Sequence, residues 1–249
     1  MKILLFVCSF TLFISCRTIN NIQSDSKPIN HSIWDGLLKK NVNDDGWVNY
    51  KGFISDSNKL NNYLKLVEAN YPNEKTWTRD EIIAYWINAY NAYTIQLIIR
   101  NYPVASIKDI QSGVAFINSV WDIKFINISG QELDLNNIEH NILRKMDEPR
   151  IHFAVNCASY SCPKLLNEAY SASKLEKQLQ DQAVDFINDK SRNDITPESA
   201  KISSIFNWFN GDFTKDGSLK EFINKYSKVQ IKEETKIEYM SYDWKLNEK

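Results

Sequence analysis

Two short stretches hold the residues whose types and spacing could do chemistry. The first is His152-Phe-Ala-Val-Asn-Cys-Ala-Ser-Tyr-Ser-Cys-Pro163. It places an imidazole at the start of an apolar run, followed by Asn156, Cys157, Ser159 and Cys162 in a polar loop. Three chemistries fit these types. Cys157 and Cys162 can close a disulfide, a thiolate can act as nucleophile with His152 as base, or the cysteines and a histidine can hold a metal. The thiol reading needs the histidine within hydrogen-bond reach of a cysteine. In a regular strand, residues five apart point to opposite faces, so His152 reaches Cys157 only if the chain turns. The cysteine spacing is not the short knuckle of a structural zinc site, and no metal is expected.

The second stretch is Trp86-Ile-Asn-Ala-Tyr-Asn-Ala92, in which Asn88 and Asn91 interrupt an otherwise apolar helix. Buried amides must be hydrogen-bonded. They either tie a neighbouring loop to the core or line a binding pocket. Asn88, Asn91, Asn156 and Ser159 are therefore the ligand-binding candidates, and His152, Cys157, Cys162 and Glu139 the catalytic candidates. Glu139 precedes His140, but adjacent helical residues face different ways. The plainer expectation for Glu139 is an ion pair, for example with Arg144. The sharper one places its carboxylate in a pocket with His152. Glycine-rich phosphate loops, Gly-x-Ser-x-Gly, His-Glu-x-x-His and Cys-x-x-Cys are absent from the sequence.

These residues need elements to position them. Thr78 and Glu81 form a capping-box pattern ahead of Ile83, Trp86, Ile87, Tyr90, Thr94, Leu97 and Ile98 at helical spacing. Apolar residues on nearly all sides make this a central, buried helix. Further helices are expected over 31–41, 54–70, 134–146, 175–187 and 218–225. Strands are expected over 120–128, 131–133, 151–156, 201–205 and 236–245, with an aromatic turn or short helix at 207–213. The pattern is α+β: a single helix-rich domain with a central buried helix and a small, mostly antiparallel sheet.

Cysteine use ties the site to location. The chain opens MKILLFVCSFTLFISC: Lys2, then an almost unbroken apolar run from Ile3 to Ile14, then Ser15 before Cys16. That run has the length of a signal-peptide core and falls short of the roughly 20 residues that span a membrane. The junction resembles a bacterial lipobox, with Phe13 where Leu is commoner. It implies removal of residues 1–15 and lipidation of Cys16. Residues 16–30 read as a flexible tether and 31–249 as one globular domain. The expected partner is a membrane, reached through lipid. Arg17 after the cysteine favours the outer membrane, facing the periplasm. Cys157 and Cys162 then remain as a pair in an oxidising compartment, where a disulfide is the first expectation.

Lys and Arg number 30 against 31 Asp and Glu, with no basic stripe, so nucleic acid is excluded as a partner on charge. At 43% hydrophobic residues the chain is globular rather than disordered. No cofactor is implied.

Several pieces together resemble the uncharacterised family called domain of unknown function 547. They are Tyr85-Trp-Ile-Asn-Ala-Tyr-Asn-Ala92, the helix around Ile138-Glu139, His152-Phe-Ala, Cys157-Ala-Ser, Cys162-Pro163, Ala169-Tyr170 and Phe206-Asn-Trp-Phe-Asn-Gly-Asp-Phe213. The resemblance spans roughly residues 45–226. It implies bacterial relatives that are exported or lipid-anchored, and it brings no activity. The function expected is a cell-envelope lipoprotein that binds an unidentified envelope ligand or protein in a polar cleft. The alternative is a thiol-dependent hydrolase or transferase acting on envelope peptides or cell-wall material.

Overall fold

The computed structural model describes residues 25–111 and 119–249. Cys16, the signal segment and most of the expected tether lie outside the described residues. The folded part begins ahead of residue 31. The Trp77 indole donates to the Ser26 carbonyl at 2.9 Å, and Ile29 packs against the core.

The first part is helical: α1 (Ser32–Asn41), α2 (Tyr50–Ser55), α3 (Ser57–Ala69) and α4 (Arg79–Asn101). Helix α4 starts where the capping box places it, with Thr78 Oγ1 accepting from the Glu81 amide and the Glu81 carboxylate accepting from the Thr78 amide. Every residue from Ile82 to Ile98 is buried. Helices α2 and α3 lay their apolar stripes against it, and α1 packs on those two helices.

The strands are few and short. β1 (Ile126–Ile128) and β2 (Gln131–Leu133) form an antiparallel hairpin around Ser129-Gly130, both at positive φ. After α5 (Leu175–Asn188), β3 (Asp194–Ile195) pairs antiparallel with β4 (Ala200–Ile202), and β4 pairs parallel with β5 (Ile237–Tyr239). Between β4 and β5 lie α6 (Ile205–Trp208), α7 (Asn210–Phe213) and α8 (Leu219–Asn224). The fold is α+β, with its strands in two separate sheets rather than one.

Two segments differ from the sequence expectation in ways that shape the site. Residues 151–156 are not a strand. Pro149–Phe153 is a 3-10 helix, begun by Pro149 at its first position and by Glu148 accepting from the Arg150 amide. The turn continues as Ala154 and Val155 both donate to the Ile151 carbonyl. The expected helix over 134–146 is a π-helix (Asn137–Ile142) running into a 3-10 turn (Leu143–Met146). The extra residue in the π turn moves the buried stripe from Ile142 to Leu143 and turns both Ile138 and Glu139 inward. In addition, Val120–Asp122 is a 3-10 turn rather than the start of β1.

Buried apolar residues form two clusters. One surrounds α4. The other gathers Phe153, Phe186, Phe206 and Phe213 beneath β4. Ile151 and Ala154 belong to the first and Phe153 to the second, so His152 sits at the seam.

Candidate active site

His152 is 3% exposed and its ring is fixed from three sides. Nε2 lies 2.8 Å from Asp212 Oδ2. Phe209 stacks on the ring at 3.9 Å between centroids, and Phe213 meets it edge-on at 5.3 Å. Asp212 is in turn gripped by Arg144, whose Nε donates to Oδ2 at 2.6 Å and whose second terminal nitrogen donates to Oδ1 at 3.0 Å. Such a two-point pairing fixes orientation as well as charge. His152 and Arg144 together hold the Asp212 carboxyl far below the ordinary carboxylate range, against the opposing effect of burial. Ionised Asp212 only accepts, so Nε2 carries the proton of a neutral His152 and Nδ1 presents a lone pair. Burial lowers the His152 pKa, and Asp212 offsets part of that.

Nδ1 has no hydrogen-bond partner and is inaccessible to solvent. Its nearest polar neighbour is Glu139 Oε1 at 3.8 Å, beyond hydrogen-bond range. Glu139 is buried, and burial pushes its pKa up to about 7, although the Tyr90 hydroxyl and Arg144 both favour its anion. Near neutral pH it therefore passes between carboxylic acid and carboxylate. Arg144 also donates to His140 Nδ1 at 2.9 Å and lies 5.3 Å over Phe209. A cleft of about 300 Å³ is lined by His152 and Asp212, with Arg144, Glu148 and Lys215 also in its walls.

The structure places Glu139 Oε1 3.8 Å from His152 Nδ1, outside the lining of the cleft. The asparagines do something else. Asn88 donates to the Tyr170 carbonyl at 2.8 Å and accepts from the Tyr170 amide at 3.0 Å. Asn91 donates to the Ala154 carbonyl at 3.0 Å and accepts from the Asn156 amide at 2.8 Å. Each amide group mimics a strand partner, and Asn91 closes the turn that follows His152. The side chain of Asn156 is likewise used within the fold, donating to the Pro163 carbonyl and accepting from the Ala158 amide and from Asn247.

Cys157 and Cys162 form a disulfide, with Cα atoms 6.4 Å apart. Beside it Ser159 is fully buried and donates to the Tyr242 hydroxyl at 3.1 Å. The chain after β5 runs alongside this loop, through Tyr160 N to Lys245 O and Asn247 N to Ala158 O, and so carries Tyr242 to the sulfurs. Among the described residues, no group of three His, Cys, Asp or Glu side chains is arranged to hold a metal ion.

Sequence reasoning missed Asp212, which touches His152 from 60 residues away, and the Tyr90 and Tyr242 hydroxyls. The signal for Asp212 was present: it is the one charged residue in Phe206-Asn-Trp-Phe-Asn-Gly-Asp-Phe213, where a carboxylate among aromatic rings needs a partner.

Fold and site together define an α+β domain with a buried carboxyl–imidazole–carboxylate cluster where two apolar cores meet. Residues 74–187 match the model of the family described as a protein of unknown function, DUF547. The matched segment contains α4, Glu139, His152 and both cysteines, while Asp212 and Tyr242 lie beyond it. No curated protein and no solved structure matches the chain. No helix among the described residues is long and apolar enough to cross a membrane.

Proposed function

We propose that this chain is an exported protein anchored by lipid on Cys16, and that its domain binds a ligand at His152 and exchanges a proton with it. The observation that supports the site is the buried, unpartnered Nδ1 of a ring whose other nitrogen is committed to Asp212. An orphaned buried acceptor costs on the order of 1–3 kcal/mol, so a ligand that supplies a donor recovers that cost. The ligand group is therefore a hydroxyl, an amine or a water. Glu139, which titrates near neutrality 3.8 Å away, is the second proton carrier. An imidazole held by a carboxylate and paired with a carboxyl of raised pKa is an acid–base arrangement. The thiol-dependent alternative loses support, because both sulfurs are bonded to one another and neither is a thiolate.

For the anchor, the support is Lys2, the apolar run 3–14 and Ser15 before Cys16. An envelope location makes cell-wall fragments the first ligands to test. Titration of soluble disaccharide-peptide fragments into protein with ¹⁵N-labelled histidines should shift the His152 Nδ1 resonance. In His152→Gln the remaining histidines should not respond. Unchanged His152 resonances in the presence of fragments, amines and polyols would reject the site.

A further inference from the structure

The disulfide is asymmetric, and as a staple its contribution is modest. The loop it closes runs only from Cys157 to Cys162, so its effect on chain entropy is about 2 kcal/mol, less than for a long loop. Other bonds already hold that loop. Asn156 bonds Pro163 and Ala158, and Arg192 donates to the carbonyls of Cys162 and Tyr160 at 2.9 and 2.8 Å. Opening the S–S bond leaves all of them in place.

The two sulfurs are treated differently. Cys162 is 3% exposed, whereas Cys157 is partly open to solvent. Cys162 Sγ accepts from the Cys157 amide at 3.0 Å and from the Tyr242 hydroxyl at 3.2 Å. Ser159 donates to Tyr242, so the single phenolic proton is directed at Cys162. Cys157 Sγ has only the Ser159 hydroxyl at 3.2 Å and the more distant Tyr242 oxygen at 3.5 Å.

We propose that Cys157–Cys162 is a thiol-exchange site, in which Cys157 is the attacked sulfur and Cys162 the leaving one. The partner is a dithiol of the compartment into which the chain is exported, and this proposal does not depend on the reading of His152. One thiolate of that dithiol attacks Cys157 Sγ. An S–S bond forms to the partner, the Cys157–Cys162 bond breaks, and its electron pair leaves on Cys162 Sγ. Hydrogen bonds from the Cys157 amide and Tyr242 stabilise that thiolate, and a better leaving thiolate departs faster. The partner's second thiolate then displaces Cys157 from the mixed disulfide. The partner leaves oxidised to a disulfide, and the protein holds two cysteines reduced by two electrons.

Glutathione, a monothiol, is the probe for the first step because it carries no second thiol to displace Cys157 intramolecularly, so the mixed disulfide persists long enough to be trapped. The folded, oxidised protein is treated with reduced glutathione, quenched with an alkylating agent and mapped by mass spectrometry. The expected product carries glutathione on Cys157 and the alkyl group on Cys162. Glutathione on Cys162, or on both cysteines equally, overturns the assignment. So does a disulfide that exchanges only after denaturant is added. Tyr242→Phe removes one of the two donors to the leaving sulfur and should slow reduction by dithiothreitol roughly tenfold. Ser159→Ala, which keeps the tyrosine but frees its orientation, should fall between that variant and the parent. Reduction rates that are the same in all three proteins, each checked for unchanged circular dichroism, also overturn it.

Discussion

His152 Nε2 lies 2.8 Å from Asp212 Oδ2, and that carboxylate is held at both oxygens by Arg144. The pair fixes which ring nitrogen carries the proton. Asp212→Asn keeps an oxygen acceptor but removes the charge that favours imidazolium. The His152 titration midpoint, followed by NMR, should move further below its parent position. The Arg144 guanidinium would lose its counter-charge, and its side chain is 31% exposed. The loss of stability should therefore be moderate, about 2 kcal/mol in urea denaturation. An unchanged midpoint would mean that the carboxylate does not govern the ring.

Glu139 gives stability a definite pH dependence. Burial raises its carboxyl pKa to about 7 in the folded state, from the ordinary 4.5 of an exposed glutamate. The folded state thus binds a proton that the unfolded chain has released. Stability is full below the unfolded value and falls as pH rises through about 7, by up to about 3 kcal/mol. Glu139→Gln carries no charge to bury, so its stability should be flatter between those limits and higher than the parent's above pH 7. Parallel stability profiles for the two proteins would show that Glu139 is not buried as an acid.

Asn91 joins α4 to the turn after His152 through two hydrogen bonds to main chain. Asn91→Ala leaves the Ala154 carbonyl and the Asn156 amide unpaired in the interior. A loss of about 2–4 kcal/mol is expected, with broadening of the His152 signals as the turn loosens. Asn88→Ala should cost a similar amount, since it unpairs both main-chain groups of Tyr170, but should leave the His152 signals sharp.

On the proposed anchor, substitution of Cys16 should separate anchoring from folding. In a bacterial host, Cys16→Ser should abolish incorporation of labelled palmitate and move the protein out of the membrane fraction. The melting temperature of the domain should not change. Labelling that persists in this variant would remove the anchor from the proposal.

Local rules made much of the fold legible. The capping box at Thr78 and Glu81 and the all-round apolar pattern announce α4 as the buried centre, because both signals lie within one segment. The Ser129-Gly130 turn announces the β1–β2 hairpin in the same way. Residues 151–156 misled, because an apolar run fits a buried strand or a buried turn equally well. The choice fell to Pro149 and to the Asn91 amide, which takes the main-chain groups a neighbouring strand would have paired. The π turn at Glu139 was invisible for a similar reason. One inserted residue shifts the stripe by a single position, which only packing against α4 selects.

The sequence by itself determined the helical core, the α+β class and the one cysteine pair of the domain, since each rests on composition or on neighbours in the chain. Only the tertiary structure decided that His152 answers to Asp212, that Glu139 is buried beside it, and that Tyr242 points its proton at Cys162. Those relationships join residues 13, 60 and 80 positions apart. Hydrogen bonds and burial act through space, and no periodicity along the chain records which distant side chain will arrive.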